Sequence, residues 1–240
     1  MSRCWVNRIE TIKRALADLQ KGKFVLIYDN EKREGETDLV IASQFVAWES
    51  IKQLRKDGGG LIFLMISHGV ADQFQLPFLA DVFSETSRTY PVFNALIPND
   101  IPYDTKSSFS LAVNHRKTFT GITDIDRSMT MKKFADLIEK TEKLDNNATM
   151  KAFGVEFRSP GHVPICVASK NLLNERSGHT ELVIALLQMA DLLPAGSGCE
   201  MMGENGKALS KKEAIAYAQQ HNLVFIEGKE IIKAWKLWSK

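Results

Sequence analysis

Short, almost wholly apolar runs alternate along this chain with longer amphipathic segments, and this alternation limits the possible folds more than any other feature. A run that is apolar throughout predicts a strand covered on both faces, whereas apolar residues three or four positions apart predict a helix. The predicted strands are residues 24–28, 39–42, 61–66, 109–113, 163–168, 198–202 and 223–226. The predicted helices are residues 6–20, 48–56, 130–143, 181–192, 211–221 and 229–238. The pattern favours a mixed α+β (α/β) fold with helices in a three-layer arrangement around a mixed, twisted β-sheet.

Two stretches do not fit this alternation. Residues 72–104 are aromatic and punctuated by prolines, and they give no clear periodicity. Residues 145–147 are polar and predict a flexible insertion that is too short to mark a domain boundary. With 240 residues and no internal repeat, we expect one domain over residues 1–240.

Charge and cysteine content exclude several classes of protein. The chain has 31 basic and 29 acidic residues, so its net charge of +2 predicts neither a nucleic-acid nor a membrane-surface partner. No apolar run is long enough for a membrane span or a signal peptide, and we expect a cytoplasmic protein. Cys4, Cys166 and Cys199 are odd in number and lack metal-ligand spacing, which argues against a disulfide framework or a zinc site.

The most concentrated chemical feature is the acidic stretch 29–38, directly after a predicted strand. It holds five carboxylates. If the stretch is extended, Glu34, Glu36 and Asp38 lie on one side of it. Divalent cations such as Mg²⁺ take oxygen ligands of this kind, so the pattern predicts a metal site. A solvated acidic loop is the alternative, and it is the commoner meaning of such a sequence.

A second cluster comprises residues 176–181, where a loop turns into an apolar helix. Helix-start amides, Arg176 and the hydroxyls of Ser177 and Thr180 match a phosphate dianion. His179 offers an imidazole nitrogen to a metal, although a lone histidine at a helix start is more often a capping or surface residue.

Three smaller features leave alternatives open. His162 follows a predicted Pro-Gly turn and is either a general acid or base or part of an ordinary turn. Glu200 is either a buried acid with a raised pKa or a residue at a sheet edge. The glycines at 58–60 either let the backbone approach a ligand closely or form a loose turn. A nucleophilic Cys199 is less favoured, because no histidine is near it in the sequence.

Taken together, these clusters resemble the 3,4-dihydroxy-2-butanone 4-phosphate synthase family of riboflavin biosynthesis. The resemblance covers nearly the whole chain and is carried by Arg33-Glu34-Gly35-Glu36-Thr37-Asp38, Thr120-Gly121-Ile122-Thr123-Asp124-Ile125-Asp126-Arg127, Pro160-Gly161-His162-Val163, Gly178-His179-Thr180-Glu181 and Cys199-Glu200. Asp57-Gly58-Gly59-Gly60 and Ser107-Ser108-Phe109 are similar to the archaeal branch. The expectation is a single-function form without a GTP cyclohydrolase II domain.

The resemblance implies a lyase that converts D-ribulose 5-phosphate into L-3,4-dihydroxy-2-butanone 4-phosphate and formate with two Mg²⁺ or Mn²⁺ ions. It implies that Glu34 binds both ions and His179 one of them. It implies catalytic roles for His162, Glu200, Asp38 and Glu36. The implied substrate-binding residues are Arg33, Glu34, Asp38, Arg176, Ser177, Gly178, His179, Thr180 and Glu200, with Arg127 as a further phosphate-binding candidate. Family members are homodimers with active sites near the subunit interface.

Two other functions share parts of this pattern. A different metal-dependent phosphosugar lyase or isomerase would use the same acidic, imidazole and phosphate-binding elements, and release of formate would separate it from the first hypothesis. A binding module without catalytic activity is the second alternative. A Glu34→Ala variant that keeps its affinity for ligand but loses turnover would count against this second alternative.

Overall fold

The computed structural model describes residues 3–239, with side chains from residue 10 onward. Its centre is a seven-stranded mixed sheet in the order β4-β5-β3-β6-β2-β1-β7. The strands are β1 (Val25–Tyr28), β2 (Thr37–Ala42), β3 (Phe63–Ile66), β4 (Phe109–His115), β5 (Phe157–Val167), β6 (Ala195–Glu200) and β7 (Val224–Glu227). Strand pairs β1–β7 and β3–β5 are parallel, while β1–β2, β2–β6, β3–β6 and β4–β5 are antiparallel.

Helices cover both faces of the sheet. They are α1 (Arg3–Gln20), α2 (Trp48–Gln53), α3 (His68–Phe74), α4 (Leu79–Thr86), α5 (Val92–Ala95), α6 (Asp124–Thr141), α7 (Asn146–Glu156), α8 (His179–Met189), α9 (Lys211–Gln220) and α10 (Gly228–Trp238). The predicted mixed α+β fold with three layers is confirmed. The described side chains do not include those of Cys4, Val6 and Ile9. Val6 and Ile9 are the first apolar residues of the first predicted helix.

The strands are apolar throughout because each face of the sheet meets its own layer of helices. In β1, Leu26 points into a core cluster that also contains residues of α2, α3, α6 and α9. Its neighbours Val25 and Ile27 point into a second cluster with residues of α1, α8 and α10. Side chains alternate along a strand, so burial on both faces requires an unbroken apolar run rather than an alternating one.

Two predicted boundaries were wrong. The helix expected at 130–143 begins six residues earlier, because Thr123 caps α6 by accepting a hydrogen bond from the Asp126 N–H. Residues 145–147 are not a flexible insertion, since Asp145 accepts a hydrogen bond from the Ala148 N–H and starts α7. Both sequences carry an N-cap signal, a Thr or Asp three residues before the donor amide. The unclear stretch 72–104 contains the end of α3, α4 and α5.

The predicted Pro-Gly turn before residue 163 is also wrong. Strand β5 runs from Phe157 to Val167 through this sequence, and its pairing with β4 shifts between Val113↔Val163 and Asn114↔Arg158. An advance of one residue along β4 therefore corresponds to five residues along β5. The additional residues form a bulge beside the edge strand β4, and His162 lies on it.

A π-helical turn, Leu54–Gly58, extends α2 and brings the glycines at 58–60 against the end of β6. The Gly60 N–H donates to the Glu200 carbonyl at 3.1 Å, and the Met202 N–H donates to the Gly58 carbonyl at 2.7 Å. The glycines therefore form a tight turn packed against β6 rather than a loose one. None of the described helices is both long and apolar enough to cross a bilayer.

Candidate active site

A polar cavity of about 270 Å³ opens where β2 begins and β6 ends. Side chains from the acidic turn (residues 29–36), the start of α8 and the segment before β4 complete its wall. The cavity is lined by Arg33, Glu34, Glu36, Asp38, Phe63, Tyr103, Ser108, Phe109, Cys166, Arg176, His179, Thr180 and Glu200. Most of the predicted site residues therefore meet at one place, although they are far apart in the sequence.

The acidic turn is folded around the carboxylate of Asp29, which is 2% exposed. Its Oδ2 accepts the Glu34 N–H at 3.0 Å, and its Oδ1 accepts the Glu36 N–H at 3.1 Å. Gly35 has a φ of 68°, a value that glycine adopts without strain. The expected extended conformation is thus wrong for residues 30–35, and only Asp38 lies within β2. The turn still directs Glu34, Glu36 and Asp38 to the same cavity.

His179 is the first residue of α8, and its side chain contacts the acidic turn. Its Nδ1 lies 3.0 Å from Glu34 Oε2, and its Nε2 lies 3.3 Å from the Glu36 carbonyl and 3.7 Å from Asp38 Oδ1. Burial acts to lower the pKa of His179, but Asp38 and Glu34 outweigh it and raise this pKa to about 9. The histidine is therefore not a surface residue, and without a metal it is an imidazolium held between carboxylates.

Asp38 is buried, and no donor in the described part of the chain forms a hydrogen bond with its carboxylate. It is 1% exposed, and neither carboxylate oxygen accepts a hydrogen bond from the described residues. Burial and the nearby Glu200, Glu34 and Glu36 raise its pKa to about 7, against the opposing effect of His179. Burial and Glu34 also raise the pKa of Glu36. Unpaired buried carboxyl groups are costly, which makes them candidates for a functional role.

These residues fit a divalent cation. One ligand atom each from Asp29, Glu34 and His179 lie within 4.8 Å of one another. Both Asp29 oxygens already accept backbone N–H groups, so Glu34 and His179 are the better donors, with the buried Asp38 carboxylate 3.7 Å from His179 Nε2. Carboxylate and imidazole donors suit magnesium, manganese and related ions. Because His179 is protonated without a metal, binding of an ion through its nitrogen would release a proton.

Arg33 of the acidic turn and Arg176, which precedes α8, both contact a residue that sequence analysis missed. Asp104 Oδ2 accepts hydrogen bonds from Arg33 Nη2 at 2.9 Å and from Arg176 Nε at 2.6 Å. Burial opposes ionisation of Asp104, but Arg176 and Arg33 outweigh it and lower its pKa. The aromatic ring of Tyr103 lies 5.3 Å from the Arg33 guanidinium carbon. The segment carrying Asp104 and Tyr103 has no periodicity, so nothing in the sequence marks it as part of the site.

The start of α8 differs from the expected phosphate cradle. The Gly178 N–H donates to Glu181 Oε2 at 3.2 Å, and Arg176 Nη1 donates to the same oxygen at 2.5 Å. A side chain at 178 would collide with Arg176 and lie 2.9 Å from Arg33 Nη2, so it would displace both guanidinium groups. Thr180 lines the cavity, while Ser177 and Gly178 do not.

Glu200 lies at the end of the central strand β6, half-buried, and it is neither fully buried nor on an edge strand. Its Oε2 accepts the Leu61 N–H at 2.8 Å. A Cβ at Gly60 would lie 2.5 Å from that same oxygen. The glycine turn thus holds one oxygen of Glu200 and leaves the other toward the cavity.

His162 and Arg127 do not line the cavity of their own chain. His162 Nδ1 lies 3.0 Å from Asn114 Nδ2, and Arg127 Nη2 lies 3.3 Å from Asp124 Oδ1. Cys166 and Cys199 are free thiols, and burial raises the pKa of each to about 12. Neither is a thiolate near neutral pH, which argues against a cysteine nucleophile.

The sequence matches a known family along most of its length. Residues 13–234 match the family model described as 3,4-dihydroxy-2-butanone 4-phosphate synthase. The chain is 46% identical over 233 residues to the 3,4-dihydroxy-2-butanone 4-phosphate synthase of Methanosarcina mazei, covering 96% of this chain and 93% of the relative. It is 42% identical over 225 residues to the enzyme of that name from Methanothermobacter thermautotrophicus, covering 93% and 95%.

Solved structures share the fold at lower identity. The 3,4-dihydroxy-2-butanone 4-phosphate synthase of Candida albicans superposes with a TM-score of 0.70 at 24% identity, covering 93% of this chain and 96% of that one. A 3,4-dihydroxy-2-butanone 4-phosphate synthase in complex with two magnesium ions superposes with a TM-score of 0.72 at 22% identity, covering 93% and 95%.

Proposed function

The chain belongs to the 3,4-dihydroxy-2-butanone 4-phosphate synthase family, and from that premise we propose that it catalyses the family's reaction in riboflavin biosynthesis. The substrate is D-ribulose 5-phosphate, and the products are L-3,4-dihydroxy-2-butanone 4-phosphate and formate. Enolisation, dehydration, skeletal rearrangement and loss of one carbon convert the substrate into these products, so the enzyme is a carbon–carbon lyase. The whole of residues 1–240 would act as one domain.

One observation carries this proposal: His179 and Glu34 meet at 3.0 Å beside the unpaired Asp38 carboxylate, in a cavity that also contains Arg33 and Arg176. Three acidic or imidazole donors suit a cation, and two guanidinium groups suit a phosphate. A binding module without catalytic activity has no need of a buried, unpaired carboxyl group beside an imidazolium.

Glu34 and His179 would hold two Mg²⁺ or Mn²⁺ ions, with Asp38 close to them. The similar solved structure that holds two magnesium ions supports two ions here. At 22% identity, that structure shows directly only the shared fold. When bound, such ions supply Lewis-acid stabilisation of the negative charge that develops on the sugar oxygens. Arg33, Arg176 and Thr180 would bind the phosphate, with Ser177 and Gly178 shaping the loop that carries Arg176.

Several proton transfers are needed, and the cavity offers several groups for them. The pKa of Asp38 at about 7 lets it donate or accept a proton near neutral pH. Glu36, whose pKa is also raised, and Glu200, whose Oε2 is fixed by the Leu61 N–H, are the other acids and bases. Because these carboxyl groups differ in burial and partners, they can take different roles in one reaction.

His162 lies outside the cavity of its own chain, and this supports a homodimer in which the imidazole reaches a neighbouring site. It lies on a bulge beside the edge strand β4. An edge strand and its bulge are accessible to a second copy. In the dimer, His162 would act as a further acid or base.

Formate release tests the reaction most directly. Purified protein incubated with ribulose 5-phosphate and Mg²⁺ should release one formate per sugar consumed, which formate dehydrogenase can measure. A different phosphosugar isomerase would consume the sugar without formate. Treatment with EDTA should abolish release, and added Mg²⁺ or Mn²⁺ should restore it. Undiminished turnover after exhaustive chelation would refute the metal assignment.

A further inference from the structure

Asp104 lies between the two arginines to which the proposed function assigns the substrate phosphate. A single oxygen, Oδ2, accepts from Arg33 Nη2 at 2.9 Å and from Arg176 Nε at 2.6 Å. Two guanidinium groups converging on one oxygen is the arrangement expected around a phosphate. In this structure a carboxylate of the chain itself has that position.

The other carboxylates that contact these arginines are built into the site and cannot leave it. Glu181 is 0% exposed, and it accepts the Ser169 N–H and the Gly178 N–H in addition to Arg176. Glu34 contacts Arg33 Nη1 at 2.7 Å from within the acidic turn. Removing Glu181 would leave the Arg176 charge without its buried partner, which is strongly destabilising. Asp29 lies 3.6 Å from Arg33 Nη1 and is held by the Glu34 and Glu36 N–H groups.

Asp104 is held differently. It belongs to the strap, residues 98–107, which connects α5 to β4 and in which no residue is buried. Apart from the two arginines, its carboxylate accepts only the adjacent Thr105 N–H among the described contacts, at 2.9 Å. The Asp104 carboxylate can therefore leave the arginines by a movement of the strap, without opening the core.

We infer that Asp104 is a specificity-determining residue that takes the place of the substrate phosphate between Arg33 and Arg176 until a dianion displaces it. This inference rests on the proposed function, because it assumes that the cavity binds a sugar phosphate. A phosphate dianion brings two charges and three acceptor oxygens, and it replaces one carboxylate. A monoanion or an unphosphorylated sugar offers no gain over the carboxylate that it would have to displace.

The cost of displacing Asp104 appears as weaker phosphate binding. An apparent dissociation constant increases as the fraction of molecules with a free site decreases. Two charge-assisted hydrogen bonds to the Asp104 carboxylate make that fraction small. Removing the charge should therefore tighten phosphate binding, whereas a residue that merely oriented the arginines would weaken it on removal.

The test measures binding of inorganic phosphate by calorimetry, in magnesium-free buffer at pH 8, to wild type and Asp104→Asn. We expect the dissociation constant of the variant to fall about tenfold. Asp104→Glu retains the charge and should remain near wild type. Glu85→Gln is the matched control, because Glu85 is exposed on α4 and neither lines the cavity nor belongs to the strap. An unchanged or larger dissociation constant in Asp104→Asn would overturn the inference.

A second measurement needs no variant and so does not depend on the folding of one. Phosphate added to the wild-type chain should accelerate hydrogen exchange of the amides in the strap, since the strap loses its contacts with both arginines. Acetate at the same concentration should leave exchange unchanged. Slower or unaltered exchange with phosphate would contradict displacement. Neither measurement uses turnover. A failure to release formate would therefore refute the proposed reaction, whereas phosphate binding and hydrogen exchange would decide this inference.

Discussion

Two regions form the cavity, and they are built in opposite ways. The sheet wall, residues 24–29 and 37–43, is buried at every position, including Asp29 and Asp38. The overlying segment, residues 75–109, does not contain one buried residue. The reacting groups are therefore fixed by the core of the protein, while the residues that cover them, Tyr103 and Asp104, are attached mainly through their contacts with charged groups.

The contacts within the overlying segment show the same contrast. Phe83 and Phe93 stack at 4.4 Å, and the Lys106 ammonium lies 4.2 Å from the Phe78 ring centroid. Ser110 donates to the Pro77 carbonyl at 2.6 Å and ties the two ends of the segment together. These are local contacts near the surface. Segments of this kind open at lower free energy than core strands do.

The largest expected effect comes from the acidic turn, which connects the two strands of the sheet wall, and from its partner on α8. Glu34→Gln and His179→Ala should each lower kcat for formate release by about a thousandfold or more, because each removes a cation ligand. Glu85→Gln, on the exposed α4, is the matched control and should retain full activity. Circular dichroism melts should show all three variants folded. Substantial turnover in Glu34→Gln would contradict the assigned role of this region.

The contrast in burial predicts a large difference in stability between two phenylalanines. Phe134 is 0% exposed and shares a core cluster with Leu39 of the sheet wall. Phe134→Ala should lower the free energy of unfolding by about 3–5 kcal/mol. Phe93→Ala, in the overlying segment, should lower it by less than about 1 kcal/mol, because this ring remains partly exposed. Urea titration measures both values, and similar losses would show that the two regions are equally integrated.

The tight packing beside Glu200 predicts that one added methyl group disturbs catalysis. A Cβ at position 60 would lie 2.9 Å from Glu200 Cβ and 2.5 Å from its Oε2, so Gly60→Ala must displace this carboxylate. We expect kcat to fall by about a hundredfold, with a smaller change in KM. Gly69→Ala is the control, since nothing lies within 4 Å of its added Cβ. Equal effects of the two substitutions would argue against a positioning role.

The smallest expected effect comes from Tyr103 in the overlying segment. Its ring lies over Arg33, and such a contact contributes about 0.5–1 kcal/mol at a partly exposed site. Tyr103→Leu should raise KM for ribulose 5-phosphate by about two- to fivefold, while Tyr103→Phe should retain the wild-type value. If Phe behaved like Leu, the hydroxyl group rather than the ring would be the part that matters.

The same difference between the regions decides what the sequence reveals. Residues 24–28 and 39–42 are apolar because they are buried on both faces, so these strands are visible in the sequence. Thr37 and Asp38 belong to β2 as well, but polar residues give no strand signal. Asp104 escaped notice because its partners Arg33 and Arg176 are 71 and 72 residues away, in opposite directions along the chain.

Local chemistry explains the remaining successes and errors. The meeting of Glu34 and His179 was expected from the family resemblance, because the residue types alone left a solvated acidic loop and a capping histidine as alternatives. The start of α6 was also predictable from the sequence, since Thr123 and Asp126 have the spacing of an N-cap. The bulge that carries His162 was not, because Pro-Gly is typical of turns and the paired edge strand overrides that preference.

The order of strands has a consequence for how the polypeptide is made. β1 and β2 with the acidic turn are synthesised within the first 42 residues, but β6, which pairs with β2, begins only at Ala195. At ~5–20 residues per second, the hairpin leaves the ribosome roughly eight to thirty seconds before its neighbour does. During that interval one side of β2 offers unpaired backbone groups, which are a template for pairing with another chain.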